Sequence, residues 1–134
     1  MSDSSTARKA EVELRLPADG AYASVLRTTT AGLAARLDFT LDDIEDLRIA
    51  IGEASAMVLP EADPDSDLTC RFFLDPHAMA IEISVQSSHP PESDTDSFAW
   101  QVLSTLAGET EVYSDDGQLT VRLSMASSVG EPDL

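Results

Sequence analysis

The sequence predicts a single α/β sandwich, a mostly antiparallel sheet with three helices on one face. Three observations point there. Apolar spacing switches between a period of two and one of three to four residues, in the order β-α-α-β-β-α-β-β. Two short turn motifs, Asp75-Pro76-His77 and Asp115-Asp116-Gly117, each lie between two alternating runs, so four strands come as hairpins. A chain of 134 residues, 43% of them hydrophobic, suits one core, and it shows no internal repeat.

Taken in order, Glu11-Val12-Glu13-Leu14-Arg15-Leu16 alternates strictly, with Val12, Leu14 and Leu16 on one face, and Pro17 ends it. From Asp19, a helix N-cap, to Leu37 the spacing is helical and puts Tyr22, Val25, Leu26, Thr29, Leu33 and Leu37 on the buried stripe. Thr40 and Asp43 then form a capping-box pair for a second helix. Asp42, Asp43, Glu45 and Asp46 fill its first turns, where the helix dipole favours acids. Leu47, Ile51, Ala54 and Val58 make its inward stripe until Pro60 stops it.

An acidic loop over 61–67 leads to two strands, 68–74 and 79–85. Residues 86–96 hold two prolines, three acids and three serines, and read as a loop. Phe98 to Ala107 is a third helix, with Phe98, Val102, Leu103 and Leu106 inward, Trp100 in the core and Gly108 closing it. Strands at 110–113 and 119–125 complete the order. The domain is expected to span 11–125, with disordered polar tails at 1–10 and 126–134.

Charge narrows the function. Eight basic and 25 acidic residues give a formal net charge of −17. Such a surface repels phosphate backbones and anionic lipid, so direct nucleic-acid or membrane binding is not expected, and a basic protein partner is. The cations are Arg8, Lys9, Arg15, Arg27, Arg36, Arg48, Arg71 and Arg122, with none between Phe72 and Val121. No apolar run reaches the roughly 20 residues of a membrane span, and no signal-peptide core follows Arg8-Lys9. The lone Cys70 rules out an internal disulfide framework, and a cytoplasmic location is expected. His77 and His89 stand in separate loops without partners at ligand spacing, so neither a metal site nor a nucleophilic triad is expected.

Two stretches carry a resemblance. One is Ala35-Arg36-Leu37-Asp38-Phe39-Thr40-Leu41-Asp42-Asp43-Ile44-Glu45-Asp46-Leu47-Arg48 running into Gly52-Glu53-Ala54-Ser55-Ala56-Met57. The other runs from Ser97-Phe98-Ala99-Trp100 through Leu119-Thr120-Val121-Arg122-Leu123. Together they resemble the histidine-kinase-like (GHKL, Bergerat) ATPase fold. Within it they look like the anti-sigma factor and serine-protein kinase family of the RsbW/SpoIIAB type, in its short actinobacterial form.

The resemblance implies a nucleotide site with three parts. In the family a glutamate acts as general base and an asparagine four residues on holds Mg²⁺; here Glu53 stands at the first position and Met57 at the second. A thioether is a poor ligand for a cation that demands hard oxygen donors. The family's Asp-x-Gly adenine box is replaced by Gln86-Ser87-Ser88, and its glycine-rich phosphate turn by Asp96-Ser97-Phe98. The nucleotide and metal motifs are therefore degraded, and neither ATP nor magnesium is an expected cofactor.

What remains is binding. The resemblance implies an anti-sigma factor that sequesters an alternative sigma factor and is released by a STAS-type anti-anti-sigma antagonist, working as a homodimer. It places Arg27 at the family's partner contact, eleven residues before Asp38. Asp42, Asp43 and Asp46 are further candidates for meeting basic partner helices. Two other readings stay open. One is an active serine protein kinase using Glu53 and an unconventional magnesium site; the other is a scaffold that binds STAS regulators alone.

Overall fold

The computed structural model describes residues 8–89 and 98–128. The expectations for the outermost tails, for most of the 86–96 loop and for Asp96-Ser97 fall outside these residues. The strands are β1 (Val12–Pro17), β2 (Asp67–Asp75), β3 (Ala78–Gln86), β4 (Glu109–Asp115) and β5 (Gln118–Ala126). They form one antiparallel sheet in the order β1-β2-β3-β5-β4. The helices are α1 (Ala23–Arg36), α2 (Leu41–Val58) and α3 (Phe98–Leu106). No helix is long and apolar enough to cross a membrane among the described residues.

Alternation in the strands builds the core. Leu68, Cys70 and Phe72 of β2, Met79, Ile81, Ile83 and Val85 of β3, and Leu119, Val121, Leu123 and Met125 of β5 are buried on one face. They cluster there with Leu47, Ile51, Ala54 and Val58 of α2, the stripe expected from its spacing. Burial of this kind removes apolar surface from water at about 25 cal/mol per Å² and is the main driving force for the fold.

The turns follow local chemistry. Asp115 pairs with Gln118, leaving Asp116 (φ 52°) and Gly117 (φ 75°) as a two-residue loop whose positive φ values match the right-handed twist of the hairpin. In the other hairpin Asp75 pairs with Ala78, and His77 takes the left-handed conformation after Pro76. Gly108 joins α3 to β4 because its N–H donates to the Ser124 carbonyl at 2.7 Å. A Cβ there would stand only 3.3 Å from the same oxygen.

Helix α1 follows the expected stripe in part: Leu26 is buried and Leu33 and Leu37 pack half-buried on the core. Its buried line is Leu26, Thr30 and Ala34, spaced by four, whereas Tyr22 and Val25 are exposed. A hydroxyl at position 30 is tolerated in the core because it donates to the Leu26 carbonyl at 2.8 Å. Asp19 caps a separate turn, Gly20–Tyr22, by accepting from the Ala21 N–H at 2.9 Å, and does not cap the α-helix itself. The inner ends of the expected tails also carry contacts. Arg8 bonds Asp75 and Glu11, and Ser127 and Ser128 bond back to the domain.

Gly32 sits in the exposed middle of α1, where an added Cβ would meet nothing within 4 Å. Glycine inside a helix costs about 0.5–1 kcal/mol relative to alanine. Gly32→Ala is expected to stabilise the domain by that amount, seen as a rise of about 2–4 °C in thermal melting. An unchanged or lowered melting point would contradict the helix or its exposed face.

Candidate functional site

Glu53 and Met57, at the glutamate and asparagine positions of the resembled family, lie on α2, and Gln86-Ser87-Ser88 stands at the end of β3. Leucine, isoleucine and alanine on the inward stripe of α2 set its rotation, and that rotation leaves Glu53 and Met57 half-buried along its side. Met57 packs against the hydrophobic core. The donor set therefore offers a carboxylate and a soft thioether one helical turn apart, which does not fit Mg²⁺. Among the described residues no three His, Cys, Asp or Glu side chains converge at metal-holding distances.

The Gln86-Ser87-Ser88 segment is tied down by its own neighbours. The Ser88 N–H and hydroxyl donate to the two oxygens of Asp63, at 2.9 and 2.8 Å. These bonds hold the Asp63 carboxyl below the usual carboxylate range. The Ser87 N–H donates to the Gly117 carbonyl, and the Asp63 N–H to the Gln86 carbonyl, both at 2.8 Å. The N–H groups of Ser87 and Ser88 and the Ser88 hydroxyl are thus spent inside the domain. Asp63 was not singled out from the sequence; an aspartate followed by proline in a loop gave no sign of a partner 25 residues away.

Phe98 was expected to point inward. Instead it is 79% exposed at the start of α3, while Leu103 is the buried residue of that helix and Trp100 packs half-buried on the core. With nine residues, α3 can turn only one narrow stripe to the sheet, and Leu103 takes it.

The partner candidates separate. Arg27, half-buried on α1, runs over α2, its Cδ and Nη1 within 3.9 Å of where a Gly52 Cβ would stand. Among the described residues it makes no ion pair, so its guanidinium keeps its donors. Asp43 is committed to the fold. Its Oδ2 accepts from the Thr40 N–H at 3.2 Å and from the Ser128 N–H and hydroxyl at 2.9 Å each, while its own N–H donates to Thr40 Oγ1 at 3.0 Å. Burial opposes ionisation there, but the bonds from Ser128 and Thr40 outweigh it and hold the carboxyl below its ordinary value. Asp43 is thus a structural anchor, whereas Asp42 stays exposed and Asp46 half-buried on α2.

The helix-free face of the sheet carries a pattern that the sequence did not reveal. Glu13, Arg71, Glu82, Arg122 and Glu111 stand in one register row across all five strands, alternating in sign. Arg71 Nε meets Glu13 Oε2 and Arg122 Nη1 meets Glu82 Oε2, each at 3.0 Å. The Arg122 and Arg8 guanidiniums also lie over the Phe73 ring, 5.4 and 5.9 Å from its centre. On the opposite face Cys70 is buried, and desolvation pushes its thiol up to about 12, which makes it a packing residue.

The architecture, an antiparallel sheet with α1, α2 and α3 on one side, is consistent with the histidine-kinase-like α/β fold. No protein-family model matches the chain. The serine-protein kinase RsbW of Bacillus thuringiensis strain Al Hakam is 42% identical over 52 residues, which is 39% of this chain and 32% of that protein. RsbW of Bacillus velezensis is 39% identical over 56 residues, 42% of this chain and 35% of that protein. The chain thus aligns with about a third of the length of these relatives. The crystal structure of the RsbU and RsbW domains of Rv1364c from Mycobacterium tuberculosis matches with a TM-score of 0.64 at 15% identity, covering 87% of this chain and 32% of that one. That likeness is one of fold. The chain is thus similar to RsbW proteins in sequence over part of its length, and similar in fold to a chain that holds an RsbW domain.

Proposed function

We propose that the chain is an anti-sigma factor that works by protein binding without phosphoryl transfer. It sequesters an alternative sigma factor and yields it to a STAS-type antagonist that competes for overlapping surface. The observation that carries this reading is an RsbW-type fold whose nucleotide position lacks the needed donors: Met57 packs into the core, and Gln86-Ser87-Ser88 is bonded to Asp63 and Gly117. Arg27 supports it with a guanidinium free of ion pairs among the described residues, suited to a bidentate bond with a partner carboxylate.

The test is affinity purification of the tagged chain from its own cells, with bound proteins identified by mass spectrometry, for wild type and Arg27→Glu. A sigma factor is expected with wild type and is expected to fall by about tenfold or more with the variant. Recovery of STAS-type proteins alone would overturn the sigma-factor reading in favour of a scaffold. A second reading has one observation behind it: the RsbW relatives are named serine-protein kinases and Glu53 persists here. Micromolar Mg-ATP binding that vanishes in Glu53→Ala would support that reading, and phosphorylation of a STAS-type protein by the chain would overturn the absence of phosphoryl transfer in the first.

A further inference from the structure

We propose that the groove between α2 and α3 docks a basic amphipathic helix of a partner protein. The inference goes beyond the sigma-factor reading, because it requires neither a sigma factor nor Arg27.

The groove is an open concavity of about 450 Å³ lined by Ile49 of α2 and by Phe98, Gln101, Val102, Thr105 and Leu106 of α3. Its two most prominent apolar side chains face water, Phe98 at 79% and Ile49 at 43% exposure. Val102 and Leu106, half-buried, continue the α3 wall one and two turns along. Isolated exposed hydrophobics are ordinary, but an apolar row on two adjacent helices, long enough for anchors at i, i+3 and i+7, has the form of a helix-binding groove.

Charge selects the occupant. On α2 the neighbours of Ile49 one turn before and after it are Glu45, Asp46, Glu53 and Gly52, with Asp42 a further turn back; Arg27 of α1 lies over Gly52, one cation against four carboxylates. The α3 wall contributes Gln101 and Thr105 and no cation. Arg48, the one cation within α2, projects about 100° round the helix from Ile49. An apolar floor beside four carboxylates, on a chain of net charge −17, complements an apolar stripe flanked by Lys or Arg. A nucleotide would bring phosphates against those acids. A second copy would bring two acidic rims together. Both carry repulsion that a basic helix turns into attraction.

The test uses the full chain and two labelled peptides of about 18 residues, with leucine at i, i+3, i+4 and i+7 and either lysine or glutamate elsewhere, followed by fluorescence anisotropy. The lysine peptide is expected to bind and the glutamate peptide is not. Phe98→Ser with Val102→Ser is expected to weaken binding about tenfold or more, as is Glu45→Lys with Glu53→Lys. Asp67→Lys with Glu109→Lys makes the same charge change on exposed residues away from the groove and is expected to alter affinity by less than about twofold. If Val102→Ser disturbs folding, Phe98→Ser alone carries the test, because Phe98 is exposed. Equal loss with the remote pair would reduce the effect to net charge and overturn the proposal. So would equal binding of both peptides, or unchanged binding in the groove variants. A dimer in sedimentation that Phe98→Ser dissociates would assign the groove to a second copy and overturn it as well. None of these outcomes depends on Arg27→Glu, so the two readings fail separately.

Discussion

Phe72→Ala is expected to cost about 3–5 kcal/mol and to bring the domain close to unfolding at ambient temperature. Phe72 is fully buried and is among the largest side chains in the core. It sits on β2, paired with Val12 of β1 on one side and Ile81 of β3 on the other, so no exposed edge can collapse into the space it would leave. The cost joins the lost transfer free energy to that of the residual cavity. In thermal melting this corresponds to a fall of about 10 °C or more. A loss below about 1 kcal/mol would mean that β2 is not an interior strand of the sheet.

Asp43→Ala is expected to cost about 2 kcal/mol at neutral pH, and the difference should depend on pH. The carboxylate closes the capping box of α2 and also receives two bonds from Ser128, so its removal loosens a helix N-terminus and the exit of the chain from β5 together. The sign follows from its lowered folded-state pKa. Above the ordinary carboxyl value of about 4 the ionised form is present in both states, and the full contribution is realised. As pH falls through the lower folded value the contribution disappears, because the folded state must then take up the proton it had resisted. Wild type and Asp43→Ala should therefore differ most above about pH 5, and the difference should shrink progressively as pH falls below the ordinary carboxyl range of about 4 in denaturant titrations. A difference that stays constant across that range would show that the carboxylate acts by shape alone.

Much of the fold was legible along the chain because its signals are local. A capping box is a matter of three residues' spacing, and Thr40 and Asp43 form it reciprocally. The stripe of α2 repeats often enough over 18 residues to fix which side is buried. Asp-Gly and Pro-containing turns announce themselves through the backbone conformations they allow. The site was legible only in part. Resemblance located Glu53, Met57 and Arg27, but the bonds that close Gln86-Ser87-Ser88 on Asp63 join segments with no local relation.

By itself the sequence determined the order of elements, the antiparallel hairpins, the buried cysteine and the strongly acidic balance. Tertiary structure decided the rest. In α1 the line Leu26, Thr30 and Ala34 competes with one through Tyr22 and Val25, and its spacing admits both; packing on α2 chose the first. Phe98 lies on a helix too short to bury every apolar residue, so docking through Leu103 turned it outward. The row from Glu13 to Glu111 exists only because strand register brings residues nearly a hundred positions apart into line. Periodicity records which residues share a face of one element, whereas register and helix rotation are set by contacts between elements, and those contacts exist only once the chain has folded.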